Sequence, residues 1–298
     1  METATSQRKL RNILLVIAAA LLVLTGILLA LSLPAMLSQP EPTETPTEAP
    51  TEAPTEAPTE PPTEAPTEFF LPENPYNELD DFHYEGRFLK LTEGESWVGI
   101  DVSRWQYDID WEKVADAGAE FAIIRIGYRG NESGLINPDK YAQQNLAGAT
   151  QAGLKVGVYF FSQALTREEA EEEAYYVLDV IKDWDITMPV VFDWERNRDE
   201  GSRSANMDRR TLTDLSLTFL ETIETAGYDA MIYFNPFMSR NLLYLQELTD
   251  YDFWLASYTE SMDFPYQVKM WQYTESGTIP GIDTPCDFNV YFPIGEGR

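Results

Sequence analysis

The sequence predicts an α/β fold over residues 97–298: a modified β/α barrel, TIM-like in plan. Three observations predict it. Strand-like apolar runs alternate with helix-like amphipathic runs, which implies parallel strands joined by right-handed crossovers. Eight strand candidates occur, the number that closes a barrel. One of them, Pro189-Val-Val-Phe-Asp-Trp-Glu195, ends in two carboxylates spaced i and i+2, and the C-terminal ends of strands are where such barrels keep their chemistry. The first five β/α units should be regular. The last three strands should carry reduced helices, because the segments joining them are short and irregular.

Three segments precede the barrel. Arg8, Lys9 and Arg11 lie in residues 1–12, and no Lys or Arg follows until Arg87. Between them, residues 13–33 are apolar and uncharged, long enough as a helix to cross the ~30 Å core of a bilayer. The run exceeds the roughly 7–15 residues of a signal-peptide core. It is therefore expected to be an uncleaved transmembrane signal anchor, with residues 1–12 cytoplasmic and the rest outside. Residues 39–68 repeat Pro-Thr-Glu with a period of four. That composition cannot bury a core and should form a disordered, semi-rigid linker up to ~90 Å long. Residues 69–96 hold aromatics without a clear period and read as a stalk.

Within the barrel, residues 97–103 read as a strand, 110–117 as a helix stopped by Gly118, and 121–128 as the second strand. Asn137 and Pro138 are expected to open a helix as cap and first-turn residue, and Gly153 to close it. Residues 155–163 form the third strand. Thr166 and Glu169 have the spacing of a capping box for a helix reaching about Trp184. The strand ending at Asp193 and Glu195 is fourth. A helix over 208–226, a fifth strand over 230–235 and a helix over 238–248 follow. Residues 253–258, 268–273 and 288–292 complete the eight. The competing open, doubly wound sheet would need a glycine-rich phosphate loop after the first strand, and Asp101-Val-Ser-Arg-Trp-Gln106 is unlike one.

Composition narrows the chemistry. The formal net charge is −29, which argues against nucleic acid as a partner. His83 is the only histidine and Cys286 the only cysteine. A Ser-His-Asp or Cys-His mechanism, an internal disulfide and a histidine-rich zinc site are thereby excluded from the barrel. Acid–base work falls to carboxylates and tyrosines. No cofactor is implied, and no ligand spacing demands a metal.

Side chains alternate along a strand, so Asp193 and Glu195 face one way and Trp194 the other. Paired acids of this kind suit glycoside hydrolysis, with a protonated acid for the leaving oxygen and an ionised partner for the developing positive charge. Other residues at the expected mouth are Asp101, Tyr159, Phe161, Tyr233, Asn235, Trp254, Trp271, Gln272 and Asp287. Four acids with aromatic rings and few cations suit a neutral sugar.

Five ordered segments carry a resemblance. Gly99-Ile-Asp-Val-Ser-Arg-Trp-Gln106, Ala152-Gly-Leu-Lys-Val-Gly-Val-Tyr-Phe-Phe161, Val190-Val-Phe-Asp-Trp-Glu195, Met270-Trp-Gln-Tyr273 and Gly281-Ile-Asp-Thr-Pro-Cys-Asp-Phe-Asn289 resemble the motifs of glycoside hydrolase family 25, the Chalaropsis-type lysozymes. Cys286 and Phe160 depart from the family pattern, and neither removes an acid. The resemblance implies cleavage of the β-1,4 bond between N-acetylmuramic acid and N-acetylglucosamine in peptidoglycan. By its pattern Glu195 is the general acid. Asp193 stabilises the oxocarbenium-like state or a reactive N-acetyl group, and Asp101 and Asp287 complete the acidic set. Tyr159, Phe161, Tyr233, Asn235, Trp254, Trp271 and Gln272 are the expected substrate-binding residues. The expected protein is a monomer in the cell membrane with its catalytic domain on the cell-wall side. A tethered, non-catalytic peptidoglycan-binding protein fits the anchor and spacer equally well, and the presence of all four acids favours the enzyme.

Overall fold

The computed structural model describes residues 71–76, 78–197 and 201–293. The expected anchor at 13–33 and the repeat linker at 39–68 lie outside the described residues. Among the described residues, no helix is long and apolar enough to cross a membrane.

The first regular elements form a hairpin. Strands β1 (Phe82–Glu85) and β2 (Phe88–Leu91) pair antiparallel. Gly86 at their turn takes φ 64, a left-handed conformation that glycine adopts without strain. Phe82, Phe88, Leu89 and Leu91 are buried, each worth about 1.5–3 kcal/mol when fully removed from water. Phe82 packs edge-on to Trp271 at 5.2 Å, and Phe88 lies 4.9 Å from Phe288. The part of the 69–96 segment seen here thus packs on the barrel.

The barrel begins with β3 (Trp97–Val102) and α1 (Trp111–Asp116), then β4 (Phe121–Arg129), β5 (Ile136–Pro138) and α2 (Ala142–Gln151). Next come β6 (Lys155–Ser162), α3 (Arg167–Ile181), β7 (Val190–Trp194), α4 (Arg209–Thr225), β8 (Ala230–Phe234) and α5 (Pro236–Asn241). Strands β9 (Asp252–Ala256), β10 (Met270–Gly277) and β11 (Cys286–Tyr291) finish it. The helix starts follow the capping residues: Asp110, Thr166, Asp208 and Asn235 each accept a backbone N–H of the first turn. Such a cap contributes about 1 kcal/mol.

Eight strands close in the order β3, β4, β6, β7, β8, β9, β10, β11 and back to β3. Neighbours from β3 to β10 run parallel. Strand β11 runs antiparallel to both β10 and β3. This corrects the expected all-parallel closure: β10 and β11 are joined without a crossover helix, so β11 must return in the opposite sense. The hairpin covers the outer face of this closing pair, where no helix lies. Gly99 permits the β3–β4 closure, since an added Cβ would strike the Phe121 carbonyl oxygen and ring.

Two further expectations are corrected. Asn137 and Pro138 do not open a helix. They sit in edge strand β5, paired with the end of β4, where a proline's missing N–H does no harm. Helix α2 starts after Asp139, whose carboxylate accepts the Tyr141 N–H at 3.0 Å. The single helix expected over 238–248 is instead α5 followed by a 3-10 turn, Leu245–Glu247.

The alternating strand faces build two cores. Phe121, Ile123, Val191, Met231, Trp254, Met270 and Tyr291 fill the barrel interior. A larger core lies between the strands and the surrounding elements, and includes Phe160, Phe192, Trp194 and Phe219.

Candidate active site

The interior residues nearest the C-terminal ends of the parallel strands form an acidic mouth. Asp101 comes from β3 and Asp193 from β7. Glu195 follows β7 on the same face as Asp193. Asp287 comes from the start of β11. In an all-parallel barrel that start would lie at the opposite rim, but the reversed direction sets Asp287 beside Asp101 in the sheet register.

Asp101 is held firmly. Its Oδ2 accepts the side-chain amides of Gln272 and Asn289, each at 2.8 Å. Gln272 Oε1 in turn accepts the hydroxyls of Tyr233 at 3.0 Å and Tyr258 at 2.8 Å. Asn289 Oδ1 accepts Trp254 Nε1–H at 2.9 Å. Every polar atom of the two amides that faces Asp101 is thereby oriented from behind. Asp193 differs: it is 6 % exposed, and its Oδ1 is buried with no hydrogen-bond partner among the described residues.

So many acids in so little water cannot all be ionised. Burial raises the Asp193 carboxyl well above its usual range, Glu195 and Asp101 add to this, and Arg125 opposes it. Glu195 is also raised, first by burial and then by Asp101 and Glu275. Asp287 is pushed up to about 9 by burial, by the charge of Asp101 and by a hydrogen bond with it. Burial raises Asp101 too, while hydrogen bonds with Asn289, Gln272 and Asp287 hold it down, so within the pair the negative charge is favoured on Asp101 and the shared proton on Asp287. Burial raises the Cys286 thiol as well, and its Sγ is turned toward the Asp101 and Asp287 carbonyl oxygens, so it is no nucleophile.

Two cavities meet over these acids. One, of about 190 Å³, includes Tyr233, Trp254, Tyr258, Gln272 and Glu275. The other, of about 370 Å³, includes Arg104, Trp105, Arg125, Tyr128 and Phe161. Tyr159, Asp193, Glu195 and Asp287 line both. A chain crossing the mouth would place a bond over the shared acids and a residue in each arm.

Of the residues expected at the mouth, Asp101, Asp193, Glu195, Asp287, Tyr159, Phe161, Tyr233, Trp254 and Gln272 come together here. Two do not. Asn235 spends its Oδ1 on the N–H groups of Phe237 and Met238 as the cap of α5. Trp271 lies on the outer face of β10, where it packs against Phe82 and Tyr273 and donates Nε1–H to the Ser257 carbonyl at 2.8 Å. Its neighbour Gln272 faces inward, and adjacent strand residues cannot share a face. Sequence reasoning missed Arg125, Asn289, Tyr258, Glu275 and the Arg104–Trp105–Tyr128 group. Arg125 had a signal: it shares the strand parity of Phe121 and Ile123, which face the interior. Among the described residues, no group of three or more His, Cys, Asp or Glu side chains is arranged to hold a metal ion.

Paired carboxyl groups at the rim of a β/α barrel, under a two-armed cleft lined with aromatic rings, suit a glycosidase, and the comparisons with known proteins give that class. The chain belongs to the glycosyl hydrolases family 25, whose sequence profile matches residues 100–282. Lysozyme M1 of Streptomyces globisporus is 26% identical over 207 residues, covering 65% of this chain and 67% of that protein. The autolytic lysozyme of Clostridium acetobutylicum is 24% identical over 197 residues, covering 65% and 55%. Among solved structures, the modular autolysin LytC of Streptococcus pneumoniae in complex with a synthetic peptidoglycan ligand superposes with a TM-score of 0.60 at 26% identity. That match covers 66% of this chain and 47% of the autolysin, so the chain spans about half the autolysin's length. A family 25 glycosyl hydrolase from Bacillus anthracis shares the fold, with a TM-score of 0.55 at 23% identity over 72% of this chain and 94% of that one.

Proposed function

We propose that this protein is a lysozyme that cleaves the β-1,4 bond between N-acetylmuramic acid and N-acetylglucosamine in peptidoglycan. The observation that carries the reading is the position of Asp193 and Glu195 at the junction of the two cleft arms, with burial and neighbouring acids favouring the protonated form of Glu195. The lysozyme relatives and the peptidoglycan-bound autolysin support the substrate class.

In this mechanism Glu195 donates its proton to the glycosidic oxygen as the bond breaks. Positive charge then develops on the sugar next to Asp193. That charge favours the ionised form of Asp193, whose proton passes to solvent. The carboxylate stabilises the cation directly or through the substrate's N-acetyl group until water adds to the anomeric carbon and its proton restores the acid form of Glu195. Asp101 and its amide clamp hold a fixed negative charge nearby. Tyr159, Phe161, Tyr233 and Trp254 supply ring surface and hydroxyls to the sugars.

The test is peptidoglycan digestion with mass spectrometry of the released reducing ends. New muramic acid ends are expected from the wild type, and a loss of roughly 10²–10⁴-fold in rate from a folded Glu195→Gln variant. New glucosamine ends would keep the hydrolase and overturn the bond. A variant that digests at the wild-type rate would remove Glu195 from its role.

The location is part of the same proposal. The uncharged run at 13–33 behind Arg8, Lys9 and Arg11 supports a membrane-anchored enzyme whose barrel works outside the cell at the end of the Pro-Thr-Glu spacer. Protease added to intact, wall-stripped cells should then digest the barrel while the protein's N-terminus stays protected. Full release of the protein into the medium would count against the anchor.

A further inference from the structure

The two arms of the cleft differ in charge. The arm lined by Tyr233, Trp254 and Glu275 has no cation among its described residues. The other arm carries Arg104 and Arg125, in a chain whose net charge is −29. These two guanidinium groups are not equivalent. Arg125 is buried and already committed, with Nε and Nη2 at 2.8 and 2.7 Å from Asp139 Oδ2. Arg104 forms no ion pair with any described residue. Its Nη1–H donates to the Tyr128 hydroxyl at 2.8 Å. An arginine has five N–H donors in a planar fork, so most of that fork is left for something else.

Arg104 is also held in place. Its guanidinium carbon lies 4.6 Å from the Trp105 ring centroid and 4.8 Å from that of Tyr128, within the range of cation–π attraction. Its backbone N–H donates to Asp139 Oδ2 at 3.0 Å. The 3-10 turn that bears it, Arg104–Gln106, is closed by a reciprocal cap with Ser103, and Gln106 Nε2 donates to the Pro285 carbonyl at 3.1 Å. Trp105 is 58% exposed beside it. A fixed guanidinium with unspent donors, flanked by an open indole face, is a receptor for a planar anion attached to a ring. The other arm offers such an anion no cation among its described residues, and places Glu275 there instead.

We infer that Arg104 binds a carboxylate carried by the glycan, and so makes the Arg104–Trp105–Tyr128 arm the subsite for an acid-bearing sugar. The inference rests on the peptidoglycan reading above and assigns direction to it: the sugar bearing the lactyl ether lies in this arm and the neutral N-acetylglucosamine in the other. The carboxylate has two sources in peptidoglycan, the free lactyl group of a peptide-free strand and the stem peptide of a substituted one.

The test measures equilibrium binding of the full chain carrying Glu195→Gln to three glycans made from one preparation. They are a peptide-free strand with free lactyl carboxylates, the same strand methyl-esterified, and a strand bearing stem peptides. Hydrolysis of each by the wild type is followed in parallel. Adding Arg104→Gln should weaken binding of the free-carboxylate strand about tenfold, the loss of one charge-assisted hydrogen bond. The esterified strand should lose less than twofold, and Arg104→Lys should recover part of the difference. A loss confined to the peptide-free strand identifies the lactyl group, and one confined to the substituted strand identifies the stem peptide. Equal losses on charged and esterified strands, no loss on any, or no binding of any glycan would each overturn the inference. Absence of hydrolysis by the wild type would overturn the lysozyme reading instead, with the binding ratios still deciding the role of Arg104.

Discussion

The acids on the parallel side of the barrel and those on its closing side are kept in different ways. Asp193 and Glu195, at the end of β7, make no side-chain hydrogen bond with any described residue. Where β3 meets the antiparallel β11, Asp101 sits in a network of two amides, two tyrosine hydroxyls and an indole, and Asp287 is hydrogen-bonded to Asp101. A carboxyl group that is fully hydrogen-bonded has a fixed charge and position. One that is buried and unbonded is poised to exchange a proton or to meet a charge not yet present. On the mechanism proposed above, the difference separates groups that react from groups that set the field in which they react.

The sharpest way to break this comparison is at Asp193. Asp193→Asn keeps the shape and removes the charge that the transition state calls for. Activity on peptidoglycan should fall by roughly 10²–10³-fold, while the melting temperature stays the same or rises, because an unpaired buried carboxyl is gone. A variant with near-normal turnover would place Asp193 among the field-setting acids instead.

A smaller effect is expected one step back from Glu195. Gln163 is fully buried. Its Nε2–H donates to the Glu195 carbonyl at 3.0 Å and to the Ser162 carbonyl at 2.8 Å, and its Oε1 accepts the Ser204 hydroxyl. It therefore fixes the backbone from which the unbonded Glu195 side chain projects. Gln163→Leu should lower kcat about tenfold with little change in KM, since misplacement of the acid affects the transition state more than binding. An unchanged kcat, or a rise in KM alone, would show that the loop after β7 is positioned without it.

The parallel side was largely legible in the sequence. The Val-Val-Phe run fixed the parity of Asp193 and Glu195, and the capping box of Thr166 and Glu169 marked the start of α3. The closing side was much less so. Nothing local in Cys286-Asp-Phe-Asn-Val-Tyr291 tells whether the strand runs up or down, because strand direction depends on how the connection packs. The position of Asp287 was expected at the mouth while the direction that puts it there was not. Asn289, two residues on and on the same face, went unread for the same reason. Trp271 shows a different limit. Its parity against Gln272 was visible, but choosing which of the two faces inward required the β1–β2 hairpin, whose Phe82 makes the outer face a second core. Arg104 and Trp105 belong to a single 3-10 turn and Tyr258 to the loop after β9, where no period constrains direction.

The closing side makes its own, smaller prediction, through the proton on Asp287. An ordinary aspartate has a pKa of 3.8, and burial beside Asp101 raises this one to about 9. Unfolded, the group is ionised above about pH 4. Folded, it holds its proton until about pH 9, so across that window the folded protein binds more protons than the unfolded one. Stability must then fall as pH rises, the reverse of a salt-bridged carboxylate. Asp287→Asn carries the neutral form at every pH and removes this slope. In calorimetric scans between pH 5 and 8, the wild type should lose melting temperature relative to the variant with each step upward, at roughly 2–4 °C per kcal/mol for a domain of this size. Parallel curves would mean that the proton shared by the pair does not reside on Asp287. In that case the amide clamp does not fix the charge on Asp101, and the division between reacting and field-setting acids loses its physical basis.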